Sequence, residues 1–237
     1  MIKVVQVKDK KEGNLKAHDI LKDIVDSKTL LVLSGGTSPD YRLMIVEGAD
    51  ILPGAICVVD ERYGEPFHPK SNELLLKNAG VFDFAKEKSF ELYKILSGKQ
   101  FLETERDYDR VIVDLFDRFS GKVGVMGVGT NLHTAGVFPY SAAAKFPNFV
   151  VAETVEDKQS LRSSSLWTAG LEFPQRITLT LRALGEFENF IILAFGKEKR
   201  QALRIILDEG ENDIQKYPAI FYRKCPAKSW LVTDIIN

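Results

Sequence analysis

The stretch GVGTNLHTAGVFPYS, residues 127–141, sets one of only three histidines in a glycine-rich loop after a short apolar run. An imidazole titrates near neutrality, so His133 is a candidate base for activating water; the alternative is a polar residue in a turn. Asn131 and Leu132 stand directly before it. In SGGTSP, residues 34–39, Gly35 and Gly36 allow a tight, close-approaching backbone, and Pro39 suits the first position of a following helix. Free N–H groups at that helix start, with the Thr37 and Ser38 hydroxyls, make a phosphate cradle. Taken alone, the same stretch is an ordinary strand–helix loop. It matches neither the Walker pattern nor the dinucleotide glycine pattern.

Further charged groups fall at other element ends. VVDERY, 58–63, ends a buried run with Asp60, Glu61 and Arg62, a cluster that serves either solubility or the gripping of phosphate or carboxylate by arginine. HPKSN, 68–72, offers Ser71 as the cap of the next helix, while His68 and His18 read as solvated. In FPQRITLT, 173–180, Arg176 either snorkels at a sheet edge or reaches an anion across the strand ends. Lys199, in GKEK, stands near a helix N-terminus, where a cation opposes the helix dipole and a nearby anion accounts for it. No GxSxG elbow and no Cys–His pairing occur, so a hydrolase built from these parts uses water activated at His133.

The elements that must position these groups alternate. Ile2–Val7, Thr29–Leu33, Ala55–Val59, Phe90–Ile95, Lys122–Met126, Arg176–Thr180, Asn189–Phe195 and Ser229–Asp234 read as strands. Helices are predicted over about 14–27, 39–48, 101–119 and 197–208, the first with Leu15, Ile20, Leu21, Ile24 and Val25 on one stripe. Alternation of this kind predicts an α/β, Rossmann-like three-layer fold with a mostly parallel sheet flanked by helices. No Gly/Pro/Ser linker divides the chain, so residues 1–237 read as a single domain. The loops at 34–39, 60–62, 127–139 and 196–199 all follow predicted strands, the end of such a sheet where chemistry collects.

Composition limits the function classes. The net charge of −1 gives no basic footprint for nucleic acid, so an anionic ligand must be held by a few local cations and backbone N–H groups. No long apolar segment points to membrane insertion or secretion. Cys57 and Cys225 read as reduced, buried thiols of a cytoplasmic protein, and with so few Cys and His a zinc site is not expected.

Taken in order, these segments resemble the 6-phosphogluconolactonases of the glucosamine-6-phosphate isomerase/6-phosphogluconolactonase superfamily. The matches are SGGTSP, VVDERY with Ser71-Asn72, GVGTNLHTAGVFP, FPQRITLTL, FGKEK, YPA at 217–219 and WLVTD at 230–234. Asp-Glu-Arg at 60–62 and Phe138-Pro139 favour the lactonases; the deaminases carry a glutamate after the histidine that is missing here. The resemblance implies hydrolysis of 6-phospho-D-glucono-1,5-lactone without metal or organic cofactor, as monomer or homodimer. His133 would activate water and then protonate the leaving ring oxygen. Gly35, Gly36 and Thr37 would hold the phosphate with Arg62, Arg176 and Lys199, while Asp60 and Asn72 shape the sugar side. The family's Asp-Gly before the histidine is Asn131-Leu132 here, and its lysine near Leu171 is replaced. Losing the Asp removes a charge that raises the pKa of a nearby His, and leucine is strained if its φ is positive. Two alternatives follow: a deaminase or isomerase using Asp60 as base, and a sugar-phosphate-binding protein with impaired catalysis.

Overall fold

The computed structural model describes residues 2–155 and 172–235, so the lysine position near Leu171 lies outside the described residues. The strands are β1 (Ile2–Gln6), β2 (Thr29–Leu33), β3 (Ala55–Val58), β4 (Asp60–Arg62), β5 (Glu91–Tyr93), β6 (Gly121–Gly127), β7 (Val150–Thr154), β8 (Gln175–Leu179), β9 (Asn189–Ala194) and β10 (Lys228–Thr233). Seven of them form one sheet in the order β1-β10-β9-β6-β2-β3-β5, with every pairing parallel. The helices are α1 (Lys10–Ile24), α2 (Asn72–Asn78), α3 (Val81–Lys88), α4 (Phe101–Arg118), α5 (Leu181–Leu184), α6 (Arg200–Leu207) and α7 (Phe221–Lys224).

The core follows from the strand composition. Every residue of β2, TLLVL, and of β3, AICV, is buried, the continuous apolar pattern of a sheet covered on both faces. Each such side chain contributes roughly 1.5–3 kcal/mol by leaving water. Both cysteines are free and buried within this interior.

The strand order explains the site. β9, β6, β2 and β3 are consecutive neighbours and run the same way, so the loops after them leave the same end of the sheet side by side. They carry Gly196–Lys199, Gly127–Pro139, Ser34–Pro39 and Asp60–Arg62. Segments distant in sequence become adjacent because β6 and β3 flank β2 on opposite sides.

Several elements differ from the sequence reading. Arg176 belongs not to the main sheet but to a second, three-stranded antiparallel sheet, β4-β8-β7, whose existence no local pattern announced. The helix expected over 39–48 is a single π-type turn, Arg42–Val46, led by Tyr41. Asp40 accepts from Leu43 N (3.2 Å) and so acts as the cap, leaving Pro39 outside the first helical position. α1 begins at Lys10 rather than 14 because Asp9 caps it, accepting from Glu12 N at 2.8 Å. Of the predicted stripe, Leu21 is buried and Ile20, Ile24 and Val25 pack against the core, whereas Leu15 is exposed and Gly13, Asn14 and Ala17 complete the buried side.

Candidate functional site

The histidine loop is folded on itself. Leu132 N donates to Gly129 O (3.0 Å) and Gly129 N donates to His133 O (2.9 Å), closing a tight turn. A Cβ on Gly129 would lie 1.9 Å from His133 Nδ1, so only glycine lets the backbone come this near the ring. Leu132 has φ +64°, a left-handed conformation costing leucine on the order of 1–3 kcal/mol. Its side chain is buried in the core, and that burial offsets the strain by a similar amount, roughly 1.5–3 kcal/mol. The loop is also held from outside: Ala219 N donates to Leu132 O (2.9 Å), Gly136 N to Thr178 Oγ1 (2.9 Å), and Thr134 Oγ1 bonds the Tyr222 hydroxyl.

Asn131 fixes the state of the imidazole. Its Oδ1 accepts from the backbone N of His133 (3.2 Å) and lies 2.5 Å from His133 Nδ1. The backbone N–H identifies this atom as the amide oxygen, which can only accept, so Nδ1 carries the ring proton and Nε2 keeps its lone pair. Burial lowers the His133 pKa to about 4, helped by the charges of Lys199, Arg176 and Arg62. The ring is therefore a neutral base at physiological pH. Phe138 stacks on it, with centroids 4.6 Å apart.

Around His133 lie the other predicted residues. Gly35, Gly36, Thr37, Asp60, Arg62, Asn72 and Lys199 line one cleft with it, together with Ser34, Ser38, Pro39, Gly127, Val128, Gly129 and Ala135. Asn131 stands behind the ring, and Arg176 sits 6.0 Å from the Phe138 centroid, the ring that stacks on His133. Among the described residues the N–H groups of Gly35, Gly36, Thr37 and Ser38 meet no protein acceptor. Such a run of free donors at a turn is suited to an anion. A Cβ on Gly35 would come 1.8 Å from Asn72 Oδ1. Gly35→Ala is accordingly expected to push Asn72 aside and raise KM about tenfold, checked by steady-state kinetics.

The second sheet makes an arginine pair. In the β4–β8 register Arg62 is directly opposite Arg176, where like charges repel unless an anion lies between or beside them. Arg62 Nη1 is held by Asn72 Oδ1 (2.9 Å) and Lys70 O (3.1 Å); Arg176 Nη1 bonds Phe173 O and Gln175 O. Burial lowers the Arg176 pKa, and Arg62 adds to the effect. Burial likewise lowers that of Lys199, whose Nζ donates to Val128 O (2.7 Å). Asp60 is pushed up to about 6, chiefly by burial and in part by Glu61, with Arg62 and Arg176 opposing.

Two sequence expectations are corrected here. His68 is not solvated: it is buried, its Nε2 lies 2.9 Å from Arg62 O, and it stacks on Phe173. His18 is also engaged, with Nδ1 2.9 Å from Met44 O and Nε2 3.4 Å from Asp50. Ser71, by contrast, caps α2 as expected, accepting from Leu74 N at 3.1 Å.

Comparison with known proteins gives the family. The profile of the family described as glucosamine-6-phosphate isomerases/6-phosphogluconolactonase matches residues 15–230. The chain belongs to this family. Within the family, a curated 6-phosphogluconolactonase of Xylella fastidiosa (strain 9a5c) is 30% identical over 191 residues, covering 79% of this chain and 76% of that protein. A glucosamine-6-phosphate deaminase of Lactococcus lactis subsp. cremoris (strain SK11) is 26% identical over 216 residues, covering 89% and 87%. Among solved structures, 6-phosphogluconolactonase from Trypanosoma brucei superposes with a TM-score of 0.78 at 18% identity, covering 98% of this chain and 96% of that one, and so shares the fold.

Sequence reasoning missed the inward turn of Glu61. Its carboxylate is fully buried and accepts from Arg62 N, Asn72 N, Glu73 N and Ser71 Oγ, all at 2.7–2.8 Å. The signal was strand alternation: with 60–62 read as a strand, Asp60 and Arg62 share one face and Glu61 takes the other. Glu61 thereby ties β4 to the start of α2, which carries Asn72 into the cleft.

Proposed function

We propose that the chain is a 6-phosphogluconolactonase, opening 6-phospho-D-glucono-1,5-lactone to 6-phosphogluconate as one domain in the cytoplasm. The observation that carries this reading is the neutral His133, its Nδ1 proton held by Asn131, in a cleft lined by Arg62 and Lys199 with the charge of Arg176 close enough to be felt by the ring. His133 Nε2 takes a proton from water, and the hydroxide adds to the lactone carbonyl. The tetrahedral intermediate collapses with cleavage of the bond from carbonyl carbon to ring oxygen, and the imidazolium gives its proton to that oxygen. The carboxylic acid product then ionises. The reaction needs no metal or organic cofactor.

The cations supply binding and tuning together. A phosphate held by the free N–H groups of the SGGT loop, with the arginine pair or Lys199, positions the lactone carbonyl for attack. It also neutralises the charges that depress the His133 pKa, making the imidazole a stronger base once substrate is bound. The test is lactone loss at mildly acidic pH, where spontaneous opening is slow, with ammonia release from glucosamine 6-phosphate measured in parallel. Lactone opening without ammonia release is expected; the reverse result would give the site to deamination.

Asn131 sets the working pH range. A base acts when unprotonated, so the acid limb of kcat/KM for the wild-type protein is expected near the His133 pKa of about 4. In Asn131→Asp a carboxylate replaces the amide beside Nδ1 and favours the imidazolium, moving that limb upward by roughly 1–3 pH units. Rate profiles between pH 4 and 7 decide this. Superimposable acid limbs would show that Asn131 does not govern the basicity of His133.

A further inference from the structure

We infer that Asn14, with Lys10, is the positioning residue of the phosphate-binding loop, acting on affinity for the phosphorylated substrate from the first helix. The inference rests on the lactonase reading for its substrate, but its geometry stands apart from it. Asn14 is fully buried on α1, where an amide is costly unless its groups are bonded. Its Nδ2 donates to Lys10 O (2.9 Å) and to Ser38 O (3.2 Å), and its Oδ1 accepts from Asp40 N (2.7 Å). Lys10 Nζ donates to Thr37 O at 2.6 Å. One helix therefore grips the loop at Thr37, Ser38 and Asp40, on both sides of Pro39, which has no N–H of its own to offer.

The direction of these bonds matters more than their number. Thr37 O and Ser38 N–H belong to one planar trans peptide, and no cis peptide occurs in the described chain. Drawing the carbonyl toward α1 turns the N–H away from it, leaving that donor free at the cleft that Ser38 lines. Lys10 adds a positive charge at the same loop. Both residues precede the stretch 15–230 matched by the family profile.

The experiment pairs two readouts on the full-length protein. Calorimetry with inorganic phosphate is expected to show a Kd about tenfold weaker in Asn14→Ala and about threefold weaker in Lys10→Met. The ratio of kcat/KM for phosphorylated over unphosphorylated gluconolactone is expected to fall by similar factors. Lys10 is exposed, so its variant keeps the test valid if Asn14→Ala fails to fold. Equal losses on both lactones, an unchanged phosphate Kd in both variants, or a wild-type protein that binds no phosphate would overturn the inference. If the wild type opens neither lactone but the phosphate Kd shifts as stated, the positioning role stands and the lactonase reading falls.

Discussion

His133→Ala is expected to lower kcat/KM for the lactone about 10³-fold, within the range found for a positioned general base. The loss falls mainly on kcat, because the proposed phosphate-binding residues Gly35, Gly36, Thr37, Arg62 and Lys199 are untouched. Asp60, its carboxyl pushed up to about 6 chiefly by burial, is the one carboxylate among the described residues lining the cleft, and any residual activity of the variant falls to it. Asn131 cannot accept a proton at neutral pH. Inorganic phosphate binding by the variant is expected to stay within about twofold of wild type, since the ring removed carries no charge. A variant that opens the lactone as fast as wild type would remove His133 from the mechanism.

The second large effect is on stability. Glu73 is fully buried beside the site: Oε1 accepts from Ile95 N (2.6 Å) and Leu96 N (2.8 Å), while Oε2 meets no partner among the described residues. Burial pushes its carboxyl up to about 7; the Glu61 charge adds to this, and the Leu96 and Ile95 N–H groups and Lys94 oppose it. The folded carboxyl thus keeps its proton to higher pH than the unfolded one. Stability from this group is present below the ordinary value of 4.5 and is lost as pH rises through about 7. The rise corresponds to roughly 3 kcal/mol at pH 8, and the isosteric amide of Glu73→Gln escapes that cost. The variant is therefore expected to melt roughly 6–12 °C higher than wild type at pH 8. At pH 5 the two should nearly coincide. Thermal unfolding at both values checks this, and subtracting the two proteins cancels the opposite contribution of His133. An equal difference at the two pH values would mean that Glu73 does not carry the titration.

The parts of this site that were legible in sequence are those written in local chemistry. A glycine-bent loop after an apolar run marks His133, and SGGTSP marks a tight strand-end turn, because turns and strand ends have residue preferences that act over a few positions. The main sheet was legible for the same reason, through alternation of buried strands and helices. What was not legible depends on long-range pairing. The partnership of Arg62 with Arg176 exists because β4 pairs with β8, more than a hundred residues away, and three charged residues do not read as a strand. The anchoring of Leu132 by Ala219 and of Gly136 by Thr178 is likewise invisible until the chain is folded. Leu132 is the instructive case. Comparison with the family's glycine exposes a conflict, and only the buried side chain shows how the fold accommodates it.

The facing arginines have a thermodynamic meaning beyond recognition. Two arginines paired in register across a ladder, each charge felt by the other, are a frustrated pairing, tolerated because the rest of the fold outweighs it. On the lactonase reading proposed above, a bound phosphate dianion would relieve that frustration, so part of the affinity would be repulsion released rather than attraction gained. Neutralising either arginine would then yield a sturdier protein and a poorer receptor, which makes conformational stability and substrate capture opposing demands on the same pair of residues.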